Sequence, residues 1–278
     1  MDTPFAEETQ ITSAPGIIIV ANSSGELVYN QKSWQGHTFE NVTLHNATLC
    51  RIGKESLDDC EDFCGLALQH ETIRGIVIAD GVSQSYAGKQ IASYTTHQLL
   101  EMICNYKDNN FDGSIAHQWI EKVCTNSPFT IKRMTAGLEE RIKNRMERRI
   151  RNDDLIGSTT FLAILQQEDA LHYFGIGNCQ GIVTPSGDII GINYEEPHPQ
   201  LALRPDGSFD PWQADLFYGK IAGAHGGWFV TDGCIKEKTI EELASYLDPC
   251  NPENTFKESI RYSERQELID DAVMVHFQ

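Results

Sequence analysis

Apolar residues fall in short β-branched runs near both ends of the chain and at helical spacing in between. GIIIVA at 16–21 predicts a strand, residues 23–26 a turn, and 27–29 its return; residues 30–50 hold scattered β-formers and predict only weak strands. FCGLALQ (63–69) and RGIVIAD (74–80) are joined by a short polar link and predict an antiparallel hairpin with a buried face. Ala87, Ile91, Tyr94, Leu99 and Ile103 then recur at helical spacing, and a second helix fits 114–125. A third helix, from about 130 to 151, carries Ile131, Met134, Leu138, Ile142, Met146 and Ile150 at spacings of three and four. Its other face holds Lys132, Arg133, Arg141, Lys143, Arg145, Arg148, Arg149 and Arg151. The expectation there is a solvated surface paired within the helix to Glu139, Glu140 and Glu147, with a docking surface as the alternative.

Strands resume with TTFLAILQ (159–166), DALHYFGIG (169–177) and QGIVT (180–184), then a turn at 185–188 and DIIGIN. Residues 195–224, rich in Pro, Gly and Asp, read as one long irregular segment. GWFVT (227–231) is a strand, helices are expected near 236–247 and 253–268, and AVMVHF (272–277) closes the chain. This order lacks the βαβα alternation of a parallel sheet. It predicts an α+β architecture with sheets packed together and helices outside, as a flexible N-terminus (1–15) and one domain over 16–278.

Composition narrows the class. The chain has 278 residues, enough for a substantial core, and 22 Lys and Arg against 40 Asp and Glu give a net charge of −18. That balance argues against nucleic acid or an anionic membrane as a partner held by bulk charge. No apolar run is long enough to span a bilayer, and the acidic start, MDTPFAEETQ, does not resemble a signal peptide; a cytoplasmic protein is expected. The eight cysteines form no C-x-x-C pair, so buried reduced thiols are expected.

The candidate chemistry lies at strand ends. Glu61-Asp62 precede one apolar strand, Asp80-Gly81 end the next, Asp232-Gly233 end a third, and Asp270-Asp271 precede the last. Alone, each Asp-Gly is simply a turn. Converging, these carboxylates could not stay ionised together without a cation, and hard ions such as Mg²⁺ or Mn²⁺ take all-oxygen shells of this kind.

The same residues resemble a family. VIADGVSQSYAGKQIAS (77–93) is similar to the A-D-G-x-G-G-x-x-x-G-x-x-A-S segment of the metal-dependent protein phosphatases, the PPM or type 2C family. Cys60-Glu61-Asp62 resembles its N-[EQ]-D element, Gly157-Ser158-Thr159-Thr160 its G-S-T-A strand start, Thr231-Asp232-Gly233 its [ST]-D-G strand end, and Asp270-Asp271-Ala272-Val273 its closing element, all in family order. The resemblance spans about residues 50–278 and implies two antiparallel β-sheets packed as a sandwich, flanked by helices on both sides. It also implies two Mn²⁺ or Mg²⁺ ions held by Glu61, Asp62, Asp80, Gly81, Asp232 and Asp270. Asp80 would bridge the ions, Asp62 would order the shell, and Asp80, Asp232 and Asp270 would form the catalytic set. The implied reaction is hydrolysis of phosphoserine or phosphothreonine in a phosphorylated protein substrate by a metal-bridging water, carried out by a monomer. The alternative is a phosphatase-like module without turnover that acts as a regulatory binding protein.

Three departures qualify the match. Leu57 occupies the place of the family's phosphate-gripping Arg, with Arg51 or Lys54 as candidate substitutes. Asn178 replaces the Asp that helps hold a third ion, so that site is expected to be weakened. Val82 stands where eukaryotic relatives carry a His. Other candidates fall away: GVSQSYAGK has the wrong glycine spacing for a phosphate loop, Cys60 and Cys64 lack a second pair for zinc, and no two His residues show ligand spacing.

Overall fold

The structure, a computed structural model, describes residues 10–278 apart from 15, 22–27, 35–36, 45, 55, 70–71, 83–84, 192–198, 211, 235–239, 246 and 261–267. The chain opens with strands β1 (Gln10–Ala14), β2 (Ile17–Ala21), β3 (Val28–Trp34), β4 (His37–Leu44), β5 (Ala47–Ile52), β6 (Phe63–Gln69) and β7 (Thr72–Gly81). Helices α1 (Gly88–Asn105), α2 (Gly113–Thr125), α3 (Ile131–Met134) and α4 (Glu140–Asp153) follow. Then come β8 (Gly157–Gln167), β9 (Ala170–Ile176), β10 (Gln180–Thr184), β11 (Ile189–Ile190), β12 (Leu201–Leu203), β13 (Phe217–Ala222) and β14 (Gly226–Val230). Helices α5 (Ile240–Ala244) and α6 (Pro252–Ser259) precede the last strand, β15 (Ala272–Phe277).

The strands form two sheets. One runs β1-β2-β6-β7-β8-β9-β13, with β12 paired to the start of β8; the other runs β11-β10-β14-β15-β5-β4-β3. Their facing sides share a core that includes Ile19, Leu49, Leu66, Ile78, Phe229 and Val275. Outside the first sheet, α1 and α2 bury Leu99, Leu100, Ile103 and Trp119 against Phe161 and Phe174. Outside the second, Leu243 and Phe256 cover Trp228 and Met274. Each large apolar side chain buried this way contributes roughly 1.5–3 kcal/mol, so both helical layers are held by their apolar stripes. The expected sandwich with helices on both sides is therefore present.

Several expectations change in detail. Residues 10–14, expected within a flexible lead, form β1 and pair with β2, while residues 1–9 lie outside the described residues. The predicted return of the first strand instead opens β3 in the other sheet, and the intervening turn lies outside the described residues. Because the chain builds β3 to β5 in the second sheet before coming back, β6 re-enters alongside β2 in the same direction. That parallel pair departs from the all-antiparallel expectation. Segment 195–224 contains β12 and β13, which extend the first sheet. The third helix is interrupted: Thr135 turns its hydroxyl back to the Ile131 carbonyl at 2.9 Å, and Gly137 at φ +81° breaks the spiral between α3 and α4. The helix near 253–268 is α6 as far as Ser259, and 261–267 lie outside the described residues.

Candidate active site at the strand tips

The acid-bearing segments meet at one edge of the sandwich and are tied together by hydrogen bonds. The Gly81 amide at the tip of β7 donates to the Glu61 carbonyl ahead of β6 at 3.2 Å. The Glu61 and Lys54 amides donate to the two carboxylate oxygens of Asp271 at 2.7 and 2.6 Å. The Thr231 hydroxyl, just past β14, donates to Asp62 at 2.6 Å and accepts from the Val273 amide at 3.0 Å. The Asn178 side-chain amide, in the turn after β9, donates to Asp232 at 3.2 Å. A Cβ on Gly81 would strike the Gly88 backbone at 2.7 Å, and one on Gly233 would collide with the Asp271 carbonyl. Close backbone approach thus explains the glycine that follows each of the two aspartates.

Like charge accumulates where these segments meet. Burial pushes the Asp80 carboxyl up to about 8, and the charges of Asp232, Asp270 and Asp271 push the same way. Glu61 is raised to about 7 by burial and then by Asp271 and Asp270, against a smaller pull from Lys89. Asp62 is buried and raised strongly by desolvation and by Asp80 and Asp271, with the Thr231 hydrogen bond opposing. Asp271 is raised as well, burial outweighing its two amide bonds. Glu61 feels Asp270 and Asp271, Asp62 feels Asp80, Asp271 and Asp232, and Asp80 feels Asp232, Asp270 and Asp271.

Beneath them lies a residue that sequence reasoning named only as a substitute phosphate grip. Arg51, 1% exposed in β5, donates from Nε to the Asp62 carbonyl at 2.8 Å and from a terminal nitrogen to the Cys60 carbonyl at 3.0 Å. Its other terminal nitrogen pairs with Glu40 at 2.9 Å. The guanidinium clamps the backbone that presents Glu61 and Asp62, so Arg51 is not the substitute phosphate grip. Leu57 is buried too, while Lys54 is exposed. An Arg in the otherwise apolar run ATLCRI was the readable signal for a buried pair. Asp271 was legible only as a neighbour of Asp270; its role in fixing the Glu61 and Lys54 amides comes from the fold. Cys179 bonds with the Thr160 hydroxyl at 3.6 Å, and burial beside Asp80 keeps its thiol protonated rather than reactive.

Among the described residues no three His, Cys, Asp or Glu side chains close on a single point at metal-ligand spacing. The donor set nevertheless fits hard divalent cations. It is all oxygen, the carboxylates repel one another, and the buried side-chain oxygen of Asn178 has no hydrogen-bond partner among the described residues. Glu61, Asp80, Asp232, Asp270 and the Gly81 carbonyl are the groups that would hold such ions.

No family model matches the sequence, and no curated protein matches it. Solved structures do match over most of the chain. The serine/threonine phosphatase Stp1 from Staphylococcus aureus superposes with a TM-score of 0.52 at 13% identity, covering 92% of this chain and 95% of that one. The catalytic domain of the phosphatase PstP, in complex with two manganese ions, gives 0.53 at 12% identity, covering 90% and 96%. The S. agalactiae serine/threonine phosphatase gives 0.52 at 12% identity, covering 84% and 99%. The fold is therefore that of the bacterial serine/threonine phosphatases. Among the described residues, no helix is long and apolar enough to cross a membrane.

Proposed function

We propose that this protein is a Mn²⁺- or Mg²⁺-dependent phosphatase that hydrolyses phosphoserine and phosphothreonine in proteins. What supports the reading is that hydrogen bonds join the segments carrying Glu61, Asp62, Asp80, Asp232 and Asp271, on a fold shared with serine/threonine phosphatases. A pair of divalent ions bound there would lower the pKa of a coordinated water and offset phosphoryl charge. The chain's own part is to hold the acids in place. Arg51 and Thr231 fix Asp62, Asp271 fixes the Glu61 backbone, and the Thr159 hydroxyl donates to the Asp80 carbonyl at 2.7 Å. Lys89, whose charge pulls on Glu61 and whose ammonium donates to the Asp58 carbonyl, is the cation that would meet an incoming phosphoryl group.

The deciding measurement is turnover of a phosphoserine peptide and an aryl phosphate with and without millimolar Mn²⁺. Hydrolysis should require the ion, and Asp80→Asn should lower kcat by roughly a thousandfold, on the order of 4 kcal/mol of barrier. The second reading, a binding module without turnover, draws on the buried Leu57 and the charge lost at Asn178. Tight ion binding with no hydrolysis of any phosphoester would favour it over the enzyme.

A further inference from the structure

The helix α4 presents a stripe of cations that, Arg149 apart, pairs with no acidic group among the described residues. At about 100° per residue, Arg141, Arg145 and Arg148 share the face opposite the buried Ile150, with Arg149 and Ile142 beside them. Those four arginines are exposed, and Ile142 is 52% exposed. The expected pairing within the helix does not form. Glu140 accepts from Asn144, Glu147 accepts from Thr135, and Arg149 alone pairs along the helix, with Asp153 at 3.5 Å. Arg141, Lys143, Arg145, Arg148 and Arg151 make no ion pair with any described residue. Like charges at spacings of three and four destabilise a helix, so this stripe opposes the fold rather than supporting it.

The place of the stripe matters as much as its charge. Segment 131–153 holds eight Lys and Arg against four Asp and Glu, a net +4 in a chain of −18, which leaves −22 on the remainder. The Arg149 guanidinium lies 5.1 Å from the centre of the Tyr86 ring, in the loop that leaves Asp80-Gly81. The Ala87 amide of that loop donates to the Ile156 carbonyl at 3.1 Å, and Val82 to Ser158 at 3.1 Å, so α4 adjoins the acid rim through two short connections.

We propose that α4 is a docking surface for acidic protein segments and that it selects substrates whose phosphorylated residue is flanked by Asp and Glu. This rests on the phosphatase reading for its substrate, though not for the binding itself. A 14-residue helix is about 21 Å long, which an extended segment covers with about six residues. A short acidic segment meets the local positive field of α4. A long duplex or a membrane would also meet the surrounding −22, and the helix cannot insert into lipid because Ile150 is buried in the protein.

The test compares two labelled phosphoserine peptides, one with an acidic run and one with a neutral run beside the phosphoserine, by fluorescence anisotropy on the metal-free protein. The acidic peptide should bind about tenfold more tightly, and the difference should shrink with salt as the screening length falls towards about 8 Å. The Arg141→Gln/Arg145→Gln/Arg148→Gln variant, checked by thermal unfolding, should lose that preference. Lys107→Gln/Lys122→Gln/Lys220→Gln, which removes the same charge elsewhere, should keep it. Equal binding of the two peptides, equal loss in both variants, or arginine-dependent binding of phosphatidylserine vesicles or duplex DNA in place of the peptide would overturn the proposal. With Mn²⁺, kcat/KM on the acidic phosphopeptide should fall in the arginine variant while aryl phosphate turnover stays unchanged. Absence of aryl phosphate turnover would count against the phosphatase reading, leaving the anisotropy result to decide the docking surface.

Discussion

Glu40 and Arg51 are buried opposite charges that answer each other, whereas the carboxylates carried by the segments that Arg51 clamps lie chiefly among other carboxylates. In the first group Arg51 reaches Glu40 and two backbone carbonyls, and the Tyr29 hydroxyl donates to the other Glu40 oxygen at 3.1 Å. Burial still pushes the Glu40 carboxyl upward, and Arg51 pulls it back. In the second group burial and the charges of Asp80, Asp271 and Asp232 raise Asp62, while burial and the charges of Asp232, Asp270 and Asp271 raise Asp80 against a hydrogen bond with Asp62. A satisfied buried pair holds a segment in place. Groups of acids whose pKa values are raised by burial and by one another concentrate at functional sites. The contrast separates scaffold from site more sharply than residue type does, since both groups are made of ordinary acids and a base.

Breaking the satisfied pair should have the largest effect. Arg51→Met leaves Glu40 buried and unpaired and frees the Cys60 and Asp62 carbonyls; urea unfolding should show a loss of about 3–5 kcal/mol. The frustrated group should respond in the opposite sense. Asp80→Asn removes the cost of keeping a buried carboxyl protonated in the folded state near pH 7 and should stabilise the metal-free protein by about 1–2 kcal/mol while abolishing activity, a stability gain at functional cost that calorimetry in EDTA would read.

The pH dependence follows the same division. Folded Asp80 holds its proton up to about 8 and Glu61 up to about 7, while in the unfolded chain both ionise near 4. Between those limits the native state binds more protons than the unfolded state, so stability from these groups is present below about pH 4 and drains away as pH rises through 7 and 8. The Tm in EDTA should therefore fall from pH 5 to pH 8, and Mn²⁺ should flatten that slope. A flat profile without metal would mean the acids do not feel one another.

Smaller effects sharpen the comparison. Thr231→Val removes the hydroxyl that joins Asp62 to the Val273 amide and should cost about 1 kcal/mol, read by thermal unfolding in EDTA. Asn178→Asp adds a carboxylate beside Asp232 and should lower the metal-free Tm by a few degrees, with a larger rise on adding Mn²⁺ than the unsubstituted protein shows.

The legibility of the sequence divides along similar lines. Apolar runs such as those of β6, β7, β8 and β15 announced strands because both faces are buried, and the glycine after Asp80 and Asp232 marked where they stop. Which sheet each strand joins was not legible. Pairing is decided by contacts between distant segments, so β3 read as the partner of β2 when it lies in the other layer. Segment 195–224 hid β12 and β13 because three residues, or an edge strand largely open to solvent, leave little periodic signal. At the candidate site the acids were readable as candidates by type and by their place at strand ends. Their holders were not: Thr231, Asp271 and Arg51 act through hydrogen bonds whose geometry exists only once the strands have met.

One consequence follows from where β15 sits. It lies between β14 and β5 in its sheet, pairing Ala272 with Ile52 and Phe277 with Ala47. A ribosome must therefore extend the nascent chain past residue 277 before the second layer can close, and until then β5 and β14 each expose an open edge. Biogenesis of this protein is thus a late, concerted event, and truncation anywhere upstream of that strand should yield material that needs chaperone shelter rather than a smaller working unit.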